Sequence, residues 1–170
     1  LIGTRRWSEI GAFMEAVERG QRPALLGDSL HTAQAVGPRI ARQGASAYLK
    51  IAEGCSAPCA FCAIPAIKGP AASRPANAIV QDAVALAQAG VKEVILIAQD
   101  TTAYGRDLGE RDALPDLVSA ILDAAPGGLE WLRIMYAYPG HISRRLIEVM
   151  ARDPRAVSYT HLTLPTNREV

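Results

Sequence analysis

One stretch constrains the fold more than any other: Glu93-Val94-Ile95-Leu96-Ile97-Ala98, apolar from its second residue onward and rich in β-branched side chains. An alternating strand leaves one face to water, whereas an unbroken apolar run needs cover on both faces. Strands of that kind sit in parallel sheets, joined by crossover helices. Strands are predicted on either side of it, at 47–52, where Ala-Tyr-Leu-Lys-Ile-Ala alternates, and at 131–136. A helix over 77–89 is expected between the first two, with Ile79, Val80, Ala83, Val84 and Leu86 on its apolar stripe and Gly90 as its stop. A second helix is expected at 115–125, with Pro115 in its first turn. A third, capped by Ser143, should run to about Arg152. The order β-loop-α-β-loop-α-β-α predicts an α/β fold of parallel strands with right-handed crossovers. Polar residues collect after each strand: Glu53-Gly54-Cys55, Gln99-Asp100-Thr101-Thr102, and Tyr138-Pro139-Gly140-His141. In parallel folds the functional face lies at the carboxyl ends of the strands. Three βα units cannot close a barrel, so further strands should follow.

The flanks are less regular. Residues 8–20 predict a helix, with Ser8 as its cap and Ile10, Phe13, Met14 and Val17 on one face. Residues 21–45 lack a period and are expected to be a linker. The 170 residues open on Leu1 rather than a methionine, and residues 157–170 form a polar string unlike what precedes them. The expectation is therefore a fragment with a non-native tail. The 18 basic and 17 acidic residues leave a net charge of +1, so charge makes no case for bulk nucleic-acid or membrane-surface binding. No membrane partner and no direct nucleic-acid site are expected.

All three cysteines fall in one loop, as Cys55-x₃-Cys59-x₂-Cys62. A disulfide scaffold would spread an even number along a secreted chain. Three thiolates on one loop can instead hold three irons of a compact cluster and leave the fourth iron open. Ala57, Pro58, Ala60 and Ala63 let the loop wrap tightly, and Gly54 permits a sharp exit from the strand. Zinc would need a fourth ligand, which His31 or His141 could supply only through the fold. A redox pair of Cys59 and Cys62 leaves Cys55 unexplained. A non-catalytic iron–sulfur or zinc-binding module remains the alternative from a different class.

This loop, directly after the first strand of a βα series, resembles the radical S-adenosylmethionine superfamily. Phe61, Cys62, Ile64, Pro65, Lys68, Gly69, Ser73, Arg74 and Pro75 are similar to the methylthiotransferase branch. The stretch Ala98-Gln99-Asp100-Thr101-Thr102-Ala103-Tyr104-Gly105-Arg106-Asp107-Leu108 resembles the ribosomal-protein methylthiotransferases, as does Leu132–Tyr136 with Tyr138-Pro139. The tRNA methylthiotransferases, the alternative within the class, usually carry Asn-Val-Asn where this chain has Asp100-Thr101-Thr102.

The resemblance implies a partial radical-S-adenosylmethionine (β/α) barrel over 46–156, preceded over 1–20 by the end of an N-terminal α/β methylthiotransferase domain. It implies a [4Fe–4S] cluster held by Cys55, Cys59 and Cys62, with S-adenosylmethionine as cosubstrate. Phe61, Gln99 and Asp100 are implied to contact that cofactor, and no catalytic residue beyond the cluster ligands is implied. The implied enzyme is a cytoplasmic transferase that adds a methylthio group to the β-carbon of an aspartate in small-subunit ribosomal protein twelve. A radical taken from the cofactor abstracts the hydrogen, and an electron donor is an implied partner. The family also carries a second [4Fe–4S] cluster on three more cysteines, which this chain lacks, so the chain alone is expected to be incomplete as a catalyst. Lys68 and Arg74 could pair with an acidic group or simply be solvated. For Gln99 and Asp100, the alternative role is a turn after the strand. Tyr136, Tyr138 and His141 follow the third strand and could line a substrate cavity, with core packing and a turn as the more ordinary role.

Overall fold

The computed structural model describes residues 1–3, 6, 9–27, 40–125 and 127–157. Strands β1 (Ile40–Gln43) and β2 (Ser46–Lys50) form an antiparallel hairpin. After β2 come the short strand β3 (Ala52–Glu53), helix α2 (Ile64–Lys68), and β4 (Ala72–Ser73), which pairs antiparallel with β3. The earlier helix α1 spans Ile10–Glu18. Then follow α3 (Ala76–Gln88), β5 (Glu93–Ile97), α4 (Leu114–Ala124), β6 (Trp131–Ile134), α5 (Arg144–Arg152) and β7 (Ala156–Val157).

The main sheet runs β1-β2-β5-β6-β7, and its last four strands are parallel. They lie side by side in chain order. Each crossover therefore steps the same way, and the helices gather in sequence: α3 touches α4, and α4 touches α5. The apolar run of β5 is buried at Val94, Ile95 and Leu96, while β2 alternates, burying Ala47 and Leu49. Ile79, Val118, Ile121 and Leu132 complete a core between sheet and helices.

Local chemistry explains the ends of these elements. Gly90 takes φ 85°, its N–H donates to the carbonyl of Ala87, and that of Val91 donates to Leu86, which closes α3 as a Schellman motif. The Ser143 hydroxyl accepts from the N–H of Leu146 and caps α5 as expected.

Three expectations change. Ile40–Gln43 lies within the stretch read as a linker, yet forms β1. Gly44, at φ 62°, makes the two-residue turn that Gly-X sequences favour between antiparallel strands. Val157, read as the first residue of the tail, pairs in β7 and is the second residue of a fourth parallel strand. Helix α1 forms, but its apolar face is not packed: Ile10, Met14 and Val17 are exposed. The Ser8 cap, His31 and residues 158–170 lie outside the described residues.

Candidate functional site

The cysteine loop leaves β3 through Gly54. Gly54 has φ 75°, and a Cβ there would stand 2.2 Å from the Pro70 carbonyl oxygen and 2.6 Å from that of Gly69. No other residue fits this turn without displacing backbone. The N–H of Cys55 donates to the Gly69 carbonyl at 3.1 Å, so the loop returns against its own exit. Between these points the N–H of Ala57 donates to Cys55 Sγ at 3.4 Å, and that of Cys62 donates to the Cys59 carbonyl at 3.1 Å.

All three cysteines line one hollow of about 580 Å³, together with Phe61, Gln99, Asp100, Tyr136, Tyr138 and His141. Residues that follow β3, β5 and β6 thus meet in one cavity. Among the described residues, no three His, Cys, Asp or Glu side chains are grouped as the ligands of one metal ion would be. A cubane asks for a different arrangement, with each thiolate on its own iron and the sulfurs correspondingly farther apart. The donor set fits that group: three thiols, one already receiving an N–H, on a loop that faces an open cavity.

The other residues singled out by sequence divide in two. Gln99 donates through Nε2 to Glu53 Oε1 at 3.4 Å, while its own Oε1 is buried with no hydrogen-bond partner among the described residues. A buried acceptor without a partner is uncommon in a folded chain. Phe61 is 93% exposed at the rim. Asp100 serves the turn: its Oδ1 accepts from both the N–H and the hydroxyl of Thr102, and its Oδ2 lies 3.3 Å from His141 Nδ1. His141 also packs against the Tyr138 ring, centroids 4.7 Å apart. Tyr136 and Tyr138 are more than half exposed on the cavity and do not pack in the core. The strand stops at Ile134, two residues short of the expected end.

Lys68 pairs with Glu53 at 3.5 Å, a carboxylate that also receives Lys50 Nζ at 2.7 Å. Arg74 is neither solvated nor in the cavity. It is buried, donating to the Lys50 carbonyl at 2.9 Å and to Asp82 Oδ2 at 2.6 Å.

Sequence reasoning missed what joins the two motif-bearing loops. The Ser73 N–H and hydroxyl both donate to Asp107, at 2.8 and 2.6 Å, and the Gly105 N–H donates to Ser73 Oγ at 2.9 Å. The Tyr104 hydroxyl donates to the Arg74 carbonyl at 2.8 Å. Burial, with Glu110 and Asp107 nearby, pushes the Tyr104 hydroxyl pKa up to about 12. The Ser-Arg-Pro and Tyr-Gly-Arg-Asp stretches therefore clasp each other behind the cysteine loop.

A protein named ribosomal protein uS12 methylthiotransferase RimO from Moorella thermoacetica is 51% identical over 128 residues, which is 75% of this chain and 29% of that protein. The sequence matches a segment of the ribosomal-protein methylthiotransferases. Proteins of the same name from Desulforudis audaxviator and Chloroflexus aurantiacus are 42% and 37% identical, each over 96% of this chain. The chain spans 36% and 39% of their lengths, so it corresponds to about a third of such a methylthiotransferase. No family model matches the chain. Among the described residues, no helix is long and apolar enough to cross a membrane.

Proposed function

We propose that this chain is the cluster-binding part of a methylthiotransferase that modifies an aspartate of ribosomal protein uS12 in the cytoplasm. The observation that carries the reading is the cavity onto which all three cysteines open, in a chain that aligns along 96% of its length with proteins of that name. In this reading Cys55, Cys59 and Cys62 would hold a [4Fe–4S] cluster, with S-adenosylmethionine as its cosubstrate. Bound there, such a cluster supplies the electron that cleaves the sulfonium to a radical.

The chain's own residues do the rest by position. Gly54 and the Cys55–Gly69 hydrogen bond set the mouth of the loop. Gln99 stands on the cavity wall toward the cofactor, with its amide held by Glu53. Asp100 orients His141 at the far wall. Residues 46–156 form part of a (β/α) barrel, a reading supported by the parallel strands lying in chain order without a reversal. Residues 1–20 close a preceding domain, and an electron donor acts on the cluster. The 170 residues contain no cysteine outside this loop, so ligands for a second cluster are not in this stretch.

Anaerobic reconstitution with iron and sulfide, followed by reduction, should give one cubane signal by electron paramagnetic resonance. That signal should change when S-adenosylmethionine is added, and 5′-deoxyadenosine should form. Replacing Cys55, Cys59 or Cys62 with Ala should abolish iron retention. A colourless protein that carries zinc after native purification would sink the proposal.

A further inference from the structure

Tyr136 is the residue whose conformation the fold does least to explain. Among the described residues it is the one non-glycine with positive φ, at 59°. The left-handed region costs an ordinary side chain about 1–2 kcal/mol, and bulky residues are rarely found there. Burial of the ring could offset such a cost, but Tyr136 is 54% exposed. The backbone around it is pinned independently of the ring. Thr101, fully buried, donates its N–H to the Tyr136 carbonyl at 3.1 Å and its hydroxyl to the Met135 carbonyl at 2.8 Å. A glycine would meet these constraints without strain, yet a tyrosine stands there, on the cavity shared with the three cysteines. Strained residues that persist without a packing reason cluster where a ligand is held.

The chemistry of the wall indicates which ligand. Tyr136 and Tyr138 offer two exposed aromatic rings, and Asp100 adds a carboxylate that also faces His141 and accepts from Thr102. Aromatic faces and a carboxylate attract a cation and disfavour an anion. An acidic acceptor side chain is thus a poor match for this wall, whereas a sulfonium is a good one.

We propose that Tyr136 is a specificity-determining residue, held in a left-handed conformation so that its ring contacts the sulfonium end of S-adenosylmethionine. The ligand assignment rests on the function proposed above, whereas the strain is a property of the chain alone. The ring distinguishes the charged sulfonium from its neutral thioether, S-adenosylhomocysteine, because only the former carries the positive charge that the aromatic face attracts.

The test uses the full chain, with and without reconstituted cluster. Tyr136→Gly relieves the strain, and Tyr136→Asn removes the ring while tolerating the left-handed region. Without cluster, both variants should unfold at a temperature equal to or above that of the unsubstituted chain. With cluster, equilibrium dialysis should show both binding S-adenosylmethionine about tenfold more weakly, with S-adenosylhomocysteine affinity changed much less. Tyr136→Phe keeps the ring and should retain the preference. Lower unfolding temperatures in both Tyr136→Gly and Tyr136→Asn would overturn the proposal, as would an unchanged preference for the sulfonium. If the unsubstituted, reconstituted chain binds neither ligand, the ligand assignment falls together with the proposed function, even if the stability result stands.

Discussion

Replacing Gly54 with alanine is the smallest change that should dismantle the cysteine loop. Two costs arise. At φ 75° an alanine pays the left-handed conformation, about 1–2 kcal/mol. The new Cβ would also stand 2.2 Å from the Pro70 oxygen, where real contacts do not come within 3.0 Å. Both atoms in conflict are close to backbone, so no side chain can swing away. The segment 69–70 must retreat by most of an ångström. That retreat strains the Cys55–Gly69 hydrogen bond and the pairing of Ala52 with Ser73 and Glu53 with Ala72. Losing one or two such bonds adds roughly 1–2 kcal/mol. The expected total is about 3 kcal/mol, a large part of the stability of a small domain. Urea unfolding followed by circular dichroism measures it, and iron bound after reconstitution should drop in parallel. If Gly54→Ala unfolds within about 1 kcal/mol of the unsubstituted chain and retains its iron, the turn is not the constraint described.

Two further substitutions address the clasp behind the loop. Arg74→Ala leaves Asp82 and the Lys50 carbonyl without their partner in a buried setting, so a loss of roughly 3 kcal/mol is expected in the same urea assay; a loss below about 1 kcal/mol would mean the guanidinium is a surface group. Tyr104 makes a prediction in pH. Its folded pKa, about 12, lies above the ordinary value of 10, so its contribution is complete below pH 10 and disappears as pH rises toward 12. Thermal unfolding scanned across that window should show a fall that Tyr104→Phe flattens, and tyrosinate absorbance should lag for one of the tyrosines.

Much of this was legible in the sequence because periodicity and punctuation are local. The apolar run at Val94–Ala98, the stripe from Ile79 to Leu86, the Gly90 stop and the Ser143 cap each act within a few residues. The three thiols were legible for the same reason. The hairpin at 40–50 carried a local signal too, the Gly44-Ala45 pair, but Ile-Ala-Arg-Gln alternates too weakly to be recognised as a strand. What could not be read is long-range pairing. The Ser73–Asp107 clasp joins residues 34 apart, and Arg74 finds both of its partners only once β2 and α3 are in place. Nor does the residue type of Tyr136 announce a positive φ, since glycine, asparagine and aspartate are the usual occupants.

The polar groups around the cysteine loop therefore fall into two kinds. Ser73, Arg74, Asp82, Asp107, Tyr104 and Thr101 make hydrogen bonds to one another or to backbone. Their hydrogen bonds hold the carboxyl edge of the sheet rigid, and their loss should be read in stability. The three thiols and the rings of Phe61, Tyr136 and Tyr138 instead line the cavity, Tyr136 in a strained conformation. None of these is held by a packing reason, so their removal should cost the free chain little and cost ligand binding much. A fold whose polar struts are paired while its cavity groups are left open is one prepared in advance for a ligand, since the ordering needed for binding has already been met in folding.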